Sequence, residues 1–122
     1  MIDGKIIDIG DMALAEDDNL VLFFGPTVTP GLRPYAVVQE ITRPEEITLR
    51  VGRQILFGGE SYQIQAVGSL AEANLKAIGH VTMVFGEVSQ PELVNAIYLS
   101  PAKVPDFAVG QLIQYPGGAQ DE

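Results

Sequence analysis

The chain has 122 residues with one histidine and no cysteine, and sixteen acidic residues against seven basic ones give it a formal charge of −9. The length suits a single domain, residues 1–122, that can bury a core. Without thiols there are no disulfides, cysteine nucleophiles or Cys-rich zinc sites, and one imidazole cannot furnish the ligands of a zinc or iron centre, so neither metal nor cofactor is expected.

The basic residues, Lys5, Arg33, Arg43, Arg50, Arg53, Lys76 and Lys103, are scattered singly, whereas neutralising phosphates takes clustered cations; nucleic acid is therefore not an expected partner. There is no apolar run long enough to span a bilayer and no basic-then-apolar leader, so the expected location is the cytoplasm. The acidic excess serves solubility, or steers a basic partner toward the surface.

In chain order, Lys5 to Ile9 and Asn19 to Phe24 read as strands, with the acidic cluster Glu16-Asp17-Asp18 between them. Pro26, Pro30 and Pro34 break the next loop, and Tyr35 to Ile41 is again extended. Gln54 to Phe57 and Tyr62 to Val67 flank Gly58-Gly59-Glu60-Ser61, a hairpin signal, and alternation puts Tyr62, Ile64 and Ala66 on one face.

Ser69 and Glu72 have the S-x-x-E spacing of a capping box. Ala71, Leu75 and Ile78 line one face of the helix that follows, expected from about Ser69 to Ile78, and Gly79 suits the left-handed residue that stops it. Three further strands follow, His80 to Phe85, Ala96 to Leu99 and Gln111 to Tyr115, and the polar, Gly-rich tail 116–122 is expected to fray. Several short alternating runs with one helix imply an all-β, mostly antiparallel fold, a small barrel or sandwich. Ile55, Phe57, Tyr62, Ile64, Leu75, Ile78, Val81, Met83, Phe85 and Ile113 should supply much of its core. The apolar runs Leu20 to Phe24 and Tyr35 to Val38, if they form open edges, point to a homodimer.

One internal echo stands out: Val51-Gly52-Arg53-Gln54-Ile55-Leu56-Phe57-Gly58 and Val109-Gly110-Gln111-Leu112-Ile113-Gln114-Tyr115-Pro116 match in Val-Gly, Ile and an aromatic residue. Either two hydrophobic strands coincide by chance, or the barrel is built from two related halves.

The run from Ala66 to Phe85, with Ala-Val-Gly-Ser before the helix, Ala71, Asn74 and Leu75 within it and Gly79-His80-Val81-Thr82 after it, resembles the glucitol/sorbitol-specific IIA component of the bacterial phosphotransferase system. A weaker likeness extends through Leu49-Arg50-Val51-Gly52 and Tyr62 upstream and Pro105-Asp106 and Gly110 downstream. The resemblance implies a barrel-like β fold. It also implies a phosphocarrier that takes a phosphoryl group from phospho-HPr onto a histidine and passes it to sugar-transporting membrane permease subunits.

In that family the phosphorylated histidine lies in a segment of the type apolar-Ile-His-Cys-His, and counting back without gaps places it near Glu40. Here the segment reads Val37-Val38-Gln39-Glu40-Ile41-Thr42, with no histidine. Glu40 is either an acyl-phosphate acceptor or a solvated carboxylate beside a strand, the commoner role of a lone glutamate.

His80 is then the only possible phosphohistidine. Its structural role would be to bond the last carbonyls of the helix through one ring nitrogen; its catalytic role would be to attack phosphorus through the other. The family carries this histidine in addition to its phosphorylated one, which favours the structural role. Two functions follow: a phosphocarrier, or a family member that has kept the fold and lost the chemistry, binding a protein or a polyol as a regulatory module. A Ser-His-Asp triad built on Ser69 and His80 is not singled out by any spacing, and no phosphate-binding glycine loop occurs.

Overall fold

A computed structural model describes residues 1–14, 19–88 and 93–117. The strands are β1 (Ile2–Ile9), β2 (Leu20–Phe24), β3 (Val37–Ile41), β4 (Gln54–Phe57), β5 (Glu60–Val67), β6 (Val81–Phe85), β7 (Ala96–Ser100) and β8 (Leu112–Tyr115); one helix, α1 (Ala71–Ile78), lies between β5 and β6. The strands close into a barrel in the order β1-β3-β2-β6-β7-β5-β4-β8. All neighbouring pairs are antiparallel except β2 with β3 and β6 with β7. The expected all-β barrel with one helix is what forms.

The echo between β4 and β8 belongs to a pseudo-twofold that runs through the whole barrel. Gly52 and Gly110 both have φ near 90° and close equivalent turns. The N–H of Gly52 reaches the Ile64 carbonyl, and the N–H of Gly110 reaches that of Ile6. Ile6 and Ile64 then each precede a bulge, in β1 and in β5.

After each bulged strand a glycine crosses the chain closely. The N–H of Gly10 bonds the Ala36 carbonyl and that of Gly68 the Ala96 carbonyl, and a Cβ on either glycine would stand 2.3–2.4 Å from backbone carbonyl oxygens. One half is therefore β8, β1, β2 and β3, and the other is β4, β5, β6 and β7. The two meet where β2 pairs with β6 and where β4 pairs with β8.

The core fills the barrel. Phe23, Phe57, Tyr62, Phe85 and Phe107 pack with ring centroids 5.3–6.5 Å apart, mostly edge to face. Of the ten expected core residues, Ile78 alone is exposed, at 46%: it ends the helix, where the chain turns away through Gly79.

Several other sequence expectations change in the fold. The bulge between Ile64 and Ala66 turns Val67, not Ala66, toward the main core, and Ala66 packs instead against Val84, Ala96 and Tyr98. Arg33–Tyr35 forms a single 3₁₀ turn, so β3 starts only at Val37. At the C-terminal end, Pro116 and Gly117 are buried; the Pro116 carbonyl accepts the Thr48 N–H, and Gly117 bridges Ile47. The expected fraying thus does not begin at residue 116, and residues 118–122 lie outside the described residues, as does the cluster Glu16-Asp17-Asp18. Val21, Phe23, Val37 and Val38 are buried within one chain, and the closed barrel removes the open edge from which a homodimer was argued.

Candidate functional site

The sequence expectation at the start of α1 is not met. The residue before the helix is Leu70, with no side-chain cap, and Glu72 turns elsewhere: its Oε1 accepts the N–H of Leu49 at 2.8 Å and its Oε2 lies 3.4 Å from Lys76 Nζ. A carboxylate one turn into the helix can reach either its own first turn or a neighbouring loop, and only the packing of that loop decides between them.

The end of the helix is as expected. Gly79 adopts φ 68° and its N–H bonds the Leu75 carbonyl, which closes the helix. Here β2 and α1 approach backbone to backbone. The Gly25 N–H donates to the Ile78 carbonyl at 2.8 Å; a Cβ on Gly25 would lie 2.5 Å from that oxygen, and one on Gly79 would lie 2.8 Å from Gly25 Cα. Two glycines make the contact possible.

His80 follows directly and is half-buried. Its ring does not bond the helix carbonyls: Nδ1 lies 3.1 Å from the Phe23 carbonyl oxygen of β2, and the imidazole stacks on Phe24 with centroids 4.0 Å apart and planes 9° from parallel. A carbonyl can only accept, so Nδ1 carries the proton and Nε2 of the neutral ring keeps its lone pair. No described residue bonds Nε2.

The β3 segment comes to the same place. Gln39 is fully buried; its Nε2 donates to the Gly79 carbonyl at 3.2 Å, and its Oε1 accepts the Tyr115 hydroxyl at 2.6 Å. Burial pushes the Tyr115 phenol well above its ordinary value, partly offset by the bond to Gln39, so at neutral pH it is a proton donor. Glu40, the next residue, points the other way: it is exposed and stands opposite Lys5 on β1. The fold thus brings β3 and His80 together through Gln39, and leaves Glu40 on the outer face.

Beside this junction lies a cleft of about 140 Å³, lined by Gly25, Pro26, Gln39, Lys76 and Gly79 among others. Among the described residues no group of three or more His, Asp or Glu is placed to hold a metal ion. Gln39, Tyr115 and Gly25 are missed by reading the sequence. The available signal was a polar residue at an inward position of the otherwise apolar run Val37-Val38-Gln39.

The model of the glucitol/sorbitol-specific IIA component of the phosphotransferase system matches residues 1–114. The chain belongs to that family. Curated glucitol/sorbitol-specific EIIA components of Escherichia coli K12 and Shigella flexneri are each 33% identical to it over 67 residues, which is 55% of this chain and 54% of theirs, so the match spans about half the length of those relatives. The crystal structure of a phosphotransferase IIA component from Enterococcus faecalis V583 superposes with a TM-score of 0.90 at 30% identity, covering 93% of this chain and 98% of that one. The family resemblance seen around the helix and His80 therefore extends to the whole barrel. No helix among the described residues is long and apolar enough to cross a membrane.

Proposed function

We propose that the protein is the IIA phosphoryl carrier of a glucitol/sorbitol uptake system, acting in the cytoplasm between HPr and the sugar-transporting membrane subunits, with His80 as its phosphoryl acceptor. The observation that carries this is the 3.1 Å approach of Nδ1 to the Phe23 carbonyl oxygen, which assigns the proton of the neutral ring to Nδ1. With Nδ1–H donated to the Phe23 carbonyl, Nε2 presents a lone pair from a ring held by stacking on Phe24. A nucleophile needs that state: the bond from Nε2 to phosphorus forms as the phosphorus–nitrogen bond in phospho-HPr breaks, and the released HPr imidazole recovers its lone pair. The acidic surface of a chain with formal charge −9 suits a basic docking partner.

A second reading is supported by β3. The family's acceptor position falls near Glu40, an exposed carboxylate on the outer face of the barrel opposite Lys5, and the neighbouring buried Gln39 is an amide, so β3 offers no imidazole to accept a phosphoryl group. On that reading the protein docks in the same system as a binding or regulatory module without chemistry.

Incubation with phosphoenolpyruvate, enzyme I and HPr, followed by intact-mass measurement without acid, separates the two. One phosphoryl group is expected on the wild type and none on a folded His80→Ala variant. A wild type that stays unlabelled while HPr itself is labelled overturns the carrier and leaves the binding module.

A further inference from the structure

We propose that Gln39 and Tyr115 are positioning residues that set the orientation of the His80 imidazole from inside the barrel; this rests on the reading of His80 as the acceptor. The pseudo-twofold gives each of these residues a counterpart in the other half. Ile6 pairs with Gln39 as Ile64 pairs with Leu99, and Tyr115 on β8 occupies the place of Phe57 on β4. The half that carries the helix fills these two places with Leu99 and Phe57, both buried and apolar. The barrel therefore closes without a polar pair there, and a buried amide and phenol in the other half need a reason beyond packing.

The space for that pair is also particular to one half. Gln39 and Tyr115 meet across β1 over Gly4, where an added Cβ would lie 3.3 Å from Gln39 Oε1 and 3.5 Å from the Tyr115 ring. The equivalent of Gly4 in the other half is Tyr62, by the matched pairings with Ile113 and Ile55.

The pair acts on one peptide unit. Gln39 Nε2 holds the Gly79 carbonyl, while the His80 N–H of the same planar unit bonds the Asn74 carbonyl at 3.3 Å. Hydrogen bonds on opposite edges of this planar unit restrain its rotation, and the unit carries the His80 Cα from which the imidazole reaches Phe23. Tyr115, held protonated by burial, orients the Gln39 amide so that its NH₂ faces Gly79.

The test reads the ring itself. In the ¹⁵N-labelled full chain, the His80 ring nitrogens should report Nδ1–H as the dominant tautomer. Gln39→Leu and Tyr115→Phe should each raise the Nε2–H population several-fold, and should lower the rate of labelling by phospho-HPr about tenfold at unchanged KM. Tyr62→Phe removes a comparable hydroxyl, bonded to the Lys103 carbonyl, and should move neither. Gly4→Ala provides a variant that touches neither partner chemically and should move the tautomer in the same direction. Ring shifts that stay in place in folded Gln39→Leu, or that move equally in Tyr62→Phe, overturn the proposal. Because the tautomer is read without phosphorylation, a protein that is never labelled but shows these shifts refutes the carrier reading and keeps the positioning one.

Discussion

The two halves of the barrel share their turns, bulges and parallel strand pair, yet they differ at the connection that leaves the bulged strand. After β5 the chain passes Gly68 and winds into α1, ending at Gly79-His80; after β1 it passes Gly10 and makes a turn with no helix among the described residues. The hydrogen bonds entering the two connections are the same. Met12 N–H reaches the Pro34 carbonyl as Leu70 N–H reaches that of Val94, and Ala13 N–H returns to Gly10 as Ala71 N–H returns to Gly68. The lesson is that the frame is set by backbone geometry common to both halves, and the candidate site by what differs between them: a helix end and an imidazole from the half of β5, and a buried amide from the half of β3.

The frame can be broken in either half with equal force. Gly10→Val and Gly68→Val would each drive a side chain into backbone carbonyls, and each should cost more than about 4 kcal/mol, at the exceptional end for single substitutions. Urea unfolding of the two variants checks this. A large loss in one and near-neutrality in the other would deny the equivalence of the halves.

Substitutions can give one half the apolar pair of the other. Tyr115→Phe leaves Gln39 Oε1 buried without its donor and should cost about 1–3 kcal/mol. Adding Gln39→Leu, which reproduces the Leu99 and Phe57 pair of the other half, should recover most of that loss, because replacing both partners by apolar groups leaves nothing unsatisfied. A double variant no more stable than Tyr115→Phe alone would show that the two apolar positions are not equivalent to the polar ones.

Titration probes the same asymmetry. The Tyr115 pKa is raised in the folded chain above its ordinary 10.0, so the unfolded chain loses its proton first as pH rises. The stability Tyr115 contributes is complete below pH 10 and is lost as pH climbs through the folded value. Melting temperature should therefore fall steeply above about pH 10, and less steeply in the double variant, where Tyr62, raised by burial and by Glu60 and Asp106, remains. Parallel slopes in the two proteins would refute the assignment to Tyr115.

The smallest effect concerns the helix that, among the described residues, only one half possesses. Ser69→Ala should change stability by less than about 0.5 kcal/mol, since Ser69 caps nothing, whereas Glu72→Ala should cost about 1 kcal/mol by freeing the Leu49 N–H. The reverse order would restore the capping box expected from the spacing.

Much of this protein follows from its sequence alone. Alternating runs and turn glycines give the strands, Gly58-Gly59 gives the hairpin, and Gly79 gives the end of the helix, because each depends on backbone preferences that act within a few residues. The spaced residues from Ala66 to Phe85 also carry the family. Tertiary structure alone decided that the barrel closes, that Glu72 leaves its helix for Leu49, and that the His80 ring bonds Phe23 rather than the helix carbonyls. It also decided that Gln39 rather than Glu40 turns inward to the end of the helix. A side chain's hydrogen-bond partner is whichever group packing brings within about 3 Å, and for His80, Gln39 and Glu72 those groups lie at least twenty residues away along the chain.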